Sequence, residues 1–128
     1  MEVPILKQGP YLIASIQSAL SDNDLEQLRD SLVQQVGRQR SRGVIVDVTA
    51  LDVMDSFATR TLRDITYMIR LRGAETVIVG IQPDVAFTMV QLGLKLEGVP
   101  TALDLEEGIA YLNKKGAVDG KEATPRGR

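Results

Sequence analysis

The chain has neither cysteine nor histidine in its 128 residues. Disulfides, thiol nucleophiles, imidazole bases, Ser-His-Asp triads and the usual zinc sites are therefore excluded by inventory. An excess of one charge is also missing: 15 basic residues stand against 17 acidic ones, interspersed, for a formal net charge of -2. So even a field as this gives no general drive toward phosphate backbones, and nucleic-acid binding is disfavoured. Arg38, Arg40 and Arg42 form the one dense basic group before the C-terminal segment. It lacks the interleaved aromatics of a base-stacking platform and reads as a solvated helix end, where cations suit the dipole. No apolar run approaches the ~20 residues that span a bilayer. Glu2 and Pro4 stand where a signal peptide would carry a basic and then an apolar region, so a cytoplasmic location without membrane contact is expected.

What is present fits one soluble domain: 44% hydrophobic and 25% charged residues over a length that can bury a core without staples. Two short apolar runs, 3–7 and 11–16, flank Gln8, Gly9 and Pro10 and predict an antiparallel hairpin. Ser21 to Asp24 supply helix caps ahead of Leu25, Leu28, Leu32 and Val36 at helical spacing. Gly43 is placed for a left-handed exit from that helix. Val44, Ile45 and Val46 are β-branched and continuous, which predicts a parallel strand covered on both faces, with Asp47 near its end.

A second amphipathic helix is predicted from about Ser56 to Gly73, with Ala58, Leu62, Ile65 and Ile69 on its apolar face. A buried strand over 76–81 follows, then a helix opened by Gln82, Pro83 and Asp84 and stopped near Gly93. Residues 99–103 are a weak last strand, and Asp104 with Glu107 caps a final helix carrying Leu105, Ile109 and Leu112. The predicted order is β-β-α-β-α-β-α-β-α: an α/β domain over residues 1–113, with a mostly parallel sheet of about five strands, an N-terminal antiparallel hairpin and about four helices. Residues 114–128 have almost nothing to bury and read as a disordered tail.

Chemistry concentrates in the loop after the central strand, where Asp47, Asp52 and Asp55 precede Ser56 and Phe57. Loop aspartates and a serine at a helix start are ordinarily turn and cap residues. The enzymatic alternative makes Asp47 a phosphoryl acceptor or a magnesium ligand, but no G-x-x-x-x-G-K-[ST] cradle accompanies it. Gly80 to Pro83 could offer backbone N–H groups to an anion, although a tight strand-to-helix turn needs the same residues. Met54, Met68 and Met89 read as core filler. Phe57 is either a staple into the core or a docking contact.

Residues 44–57, VIVDVTALDVMDSF, resemble the signature of STAS domains of anti-sigma factor antagonists, in which a phosphorylatable serine follows an aspartate at the start of the second helix. Flanking segments at 4–7, 15–17, 80–83 and 101–106 are similar to the single-domain scaffold branch of the stressosome, and the likeness spans residues 3 to 113. The resemblance implies a STAS fold and a non-enzymatic switch without cofactor or metal. It implies co-assembly with RsbR-type STAS sensor paralogues, self-association, and capture of an RsbT-type serine kinase, released when Ser56 is phosphorylated and reset by an RsbX-type phosphatase. Asp52, Asp55, Ser56 and Phe57 would form the partner face, with Thr59 as a further contact. A related alternative is a stand-alone antagonist that captures an anti-sigma kinase and is inactivated by serine phosphorylation.

Overall fold

A computed structural model describes residues 2–123, with side chains as far as residue 116. The hairpin forms from β1 (Ile5–Gln8) and β2 (Tyr11–Ser15), turning at Gly9, whose φ of 59° suits glycine. Helix α1 (Asp22–Gln39) starts on a reciprocal cap: the Ser21 hydroxyl accepts from the Asp24 N–H at 3.0 Å, and the Asp24 carboxylate accepts from the Ser21 N–H at 3.3 Å. Next come β3 (Gly43–Asp47), α2 (Ser56–Leu71), β4 (Glu75–Val79), α3 (Pro83–Gln91), β5 (Thr101–Ala102) and α4 (Leu105–Ala123). The five strands lie in sequential order; β1 pairs antiparallel with β2, and all later neighbours are parallel.

Strand alternation divides the core into two layers. Leu12, Ala14, Val44, Val46 and Ile78 face α1, α2 and α3 and pack with Leu28, Leu32, Leu62, Ile65, Ile69, Val85 and Met89. Tyr11, Ile13, Ile45, Val77 and Val79 face the opposite way and meet Leu105, Ile109 and Leu112 of α4. Both faces of β3 are thus covered, which is why its apolar run is continuous.

Three expectations about the fold differ from the structure. The left-handed exit from α1 falls on Arg40, at φ 50°, while Gly43 is the first residue of β3. A Cβ on Gly43 would come within 2.9 Å of Leu112 and 3.1 Å of Tyr11, so glycine there admits the α4 side chain. Met54 and Met89 are buried, but Met68 lies on the outer surface of α2, 39% exposed, and fills no core gap.

The segment 114–128, read as a disordered tail, continues α4 as far as Ala123; residues 124–128 lie outside the described residues. Helical hydrogen bonds are local and need no apolar burial to form. Leu112 is the last buried apolar side chain among the described residues. Residues 117–128 include Val118 as their one large apolar side chain, so removing them should change the unfolding free energy by less than ~1 kcal/mol, measured by urea titration.

Candidate functional site

At the C-terminal end of β3 the parallel pairing ends with Val48 N–H donating to the Val79 carbonyl at 3.0 Å and Ile16 N–H donating to the Asp47 carbonyl at 3.0 Å. The Asp47 carboxylate is occupied locally: it accepts from the Thr49 N–H at 3.0 Å and the Thr49 hydroxyl at 2.6 Å. Gln82, at the start of α3, donates its side-chain amide to the Thr49 carbonyl at 2.7 Å. Leu51 N–H closes a turn on the Val48 carbonyl at 2.9 Å, and Leu51 and Met54 are buried beneath the loop. The loop is pinned from three sides, and Asp52 and Val53, between the buried Leu51 and Met54, are among its outward residues, Val53 being 67% exposed.

Asp55 is the N-cap of α2, its carboxylate accepting from the Ala58 N–H at 2.8 Å. Ser56 follows as the first helical residue and is exposed. No hydrogen bond engages its hydroxyl among the described residues. The Ser56 and Phe57 N–H groups, being the first two of the helix, have no intrahelical acceptor. Phe57 is half-buried, with the Arg60 guanidinium 5.9 Å from its ring centroid. Asp52, Asp55, Ser56 and Phe57 are therefore gathered on one corner.

Thr59 is not part of that surface. It is 2% exposed, and its hydroxyl donates to the Asp55 carbonyl at 2.9 Å, so a side-chain contact with a partner would require the first turn of α2 to open. Its place is under the cap, which it steadies.

The residues singled out for the enzymatic alternative are placed as follows. Among the described residues no three acidic side chains converge closely enough to share a metal ion. Nor is the Gly80 turn an open anion cradle: its N–H donates to the Ala102 carbonyl at 3.3 Å, and Gln82 is spent on Thr49. Two participants escaped the sequence reading. Val53 borders a pocket of about 70 Å³ lined also by Ile16, Leu20, Leu51, Asp55 and Ala58, which places an apolar contact at the Asp55 cap that precedes Ser56. The spacing of buried Leu51 and Met54 was the available signal, because it leaves Asp52 and Val53 turned outward. Gln82 reaches Thr49 across 33 residues, and no local pattern announces it.

A five-stranded sheet with an N-terminal hairpin and four helices is the arrangement that the comparisons with known proteins match. The STAS domain profile fits residues 2–108, and the chain belongs to the STAS domain family. Within it, the chain is similar to a serine-to-glutamate variant of RsbS from Moorella thermoacetica, at 35% identity and a TM-score of 0.76 over 90% of this chain and 97% of that one. It is similar as well to a chain in a structure of the stressosome, a signal integration and transduction hub, at 33% identity and a TM-score of 0.71 over 88% of this chain and 98% of that one. The RsbT co-antagonist protein RsbRA of Bacillus subtilis is 32% identical over 84 residues, covering 66% of this chain and 31% of that protein. The chain thus spans about a third of the length of the curated relatives of this kind. Among the described residues no helix is long and apolar enough to cross a membrane.

Proposed function

We propose that this chain is a non-enzymatic, cytoplasmic scaffold and antagonist. It co-assembles with RsbR-type sensor paralogues into a stressosome, holds an RsbT-type serine kinase, and releases it when Ser56 is phosphorylated; an RsbX-type phosphatase resets the serine. The observation that carries this reading is the unpartnered Ser56 hydroxyl, exposed at the start of α2 on a corner whose loop is pinned.

A phosphoserine adds about -1.5 to -2 charge at neutral pH. The helix dipole and the free N–H groups of the first turn can receive it, so the domain need not unfold. The change falls on the surface instead. Asp52 and Asp55 already make the corner acidic, and a further double charge opposes any partner that places a carboxylate or an apolar group over Val53.

The test is a pull-down from host extract with the full chain, with and without ATP, followed by mass mapping of phosphate on the recovered bait. A kinase captured without ATP and lost with it, with phosphate on Ser56, is the expected result. Retention of the kinase with Ser56 fully phosphorylated, or absence of any captured kinase by folded protein, overturns the reading. Assembly is checked separately: mixing with an RsbR-type paralogue should give a large particle in light scattering.

A further inference from the structure

The basic group that reads from sequence as a solvated helix end has a different setting in the fold. At the opposite end of the sheet from Ser56, where β2, β3 and β4 begin and α1 and α2 finish, lies an open depression of about 940 Å³. Arg40, Arg42, Arg70, Arg72 and Lys115 line it, against the single carboxylate of Glu75. Arg70 is engaged, 3.9 Å from the Glu75 carboxylate and donating to the Gly98 carbonyl at 2.9 Å. The other four cations have no carboxylate partner among the described residues.

Helix ends account for only part of this charge. Each helix C-terminus carries roughly half a negative charge, so α1, α2 and Glu75 together offset about two of the five cations and leave about three. One further observation marks this end of the sheet as set apart. Arg40 is the one non-glycine residue with positive φ among the described residues, a backbone conformation that glycine or asparagine adopts with less strain.

The donor set defines the ligand class. Guanidinium and ammonium groups donate and do not accept, and guanidinium forks match phosphate oxygens two at a time. Asn113 accepts the Tyr11 hydroxyl at 2.5 Å, which leaves its amide NH₂ as a further donor at the rim. We propose that this depression binds a soluble small molecule bearing two or more phosphate groups, with Arg40, Arg42 and Arg72 on the phosphate oxygens and Lys115 at the rim. The site is independent of the switch at Ser56.

The test titrates the full chain with pyrophosphate by calorimetry at constant ionic strength, with amide spectra recorded in parallel. Saturable binding of one pyrophosphate per chain is expected, with shifts centred on residues 40–42 and 72–75. Arg42→Gln with Arg72→Gln should lose at least tenfold in affinity, while Arg29→Gln on the far part of α1 should keep the parental value. Arg40→Gly separates binding from folding: glycine suits the positive φ, so the urea midpoint should not fall, whereas affinity should drop severalfold. Linear, unsaturated shifts, or equal affinity of the double variant and the parent, would overturn the site. Saturation by a poly-glutamate peptide but not by pyrophosphate would also overturn it, assigning the depression to an acidic protein segment.

Discussion

Ser56→Asp should fold as the parent does and bind an RsbT-type kinase about a hundredfold more weakly, whereas Ser56→Ala should bind it with parental affinity. The stability half of the expectation follows from position. Ser56 is the first residue of α2, is exposed, and its neighbour Asp55 already supplies the cap. A carboxylate in the first turn is favourable by ~0.3–1 kcal/mol, so the urea midpoint of Ser56→Asp should not fall. The binding half follows from charge. A new carboxylate about 8 Å from an acidic group on a docked partner costs roughly 2 kcal/mol at an effective dielectric constant near 20. Desolvating it beside Val53 adds about another 1 kcal/mol, and ~3 kcal/mol is about a hundredfold in Kd. Calorimetry with purified kinase gives both constants. Equal Kd for the alanine and aspartate variants would sink the proposed switch, since it would mean that charge at residue 56 is not felt at the partner surface.

Legibility in the sequence followed the range of the interactions involved. The strand at 44–46 and the helix beginning at Ser56 were readable because their causes are local: two covered sheet faces in the first case, an Asp55 cap three residues from Ala58 in the second. What escaped was set by distant partners. Gly43 looked like a helix exit, yet its size is dictated by Leu112 of α4, and the left-handed residue is Arg40. Thr59 entered as a further contact because it stands near Ser56 in the chain; the Asp55 carbonyl satisfies its hydroxyl and lets it be buried. Of the proposed site, the placement of Asp52, Asp55, Ser56 and Phe57 around one strand-to-helix corner was readable. The rigidity of the loop that presents them was not, because Gln82 and Gly80 enter it from the next strand-to-helix turn.

That rigidity makes Gly80→Ala the most informative change away from the corner. Gly80 has φ 83°, where a Cβ is strained by roughly 1–2 kcal/mol. Strain alone would be shared by Gly93, at φ 71°, which has open space where its Cβ would stand. At Gly80 the new Cβ would collide with the Thr49 hydroxyl and lie 3.1 Å from the Thr49 Cα, a backbone atom that no rotamer change can move. Relief requires Thr49 to shift, breaking its hydrogen bonds to Asp47 and from Gln82, at about 1 kcal/mol each. Gly80→Ala should therefore cost about 3–4 kcal/mol in urea unfolding, against ~1–2 kcal/mol for Gly93→Ala. Amide exchange at Leu51 and Ala58, whose N–H groups are bonded to the Val48 carbonyl and the Asp55 carboxylate, should quicken in the first variant and not in the second. Adding Thr49→Ala should recover part of the loss, because the hydroxyl is gone while the Cα remains; a coupling of at least ~1 kcal/mol between residues 49 and 80 is expected in the double-mutant cycle. If Gly80→Ala costs no more than Gly93→Ala, the loop is not held through Thr49, and the serine corner owes its shape to the buried Leu51 and Met54 alone.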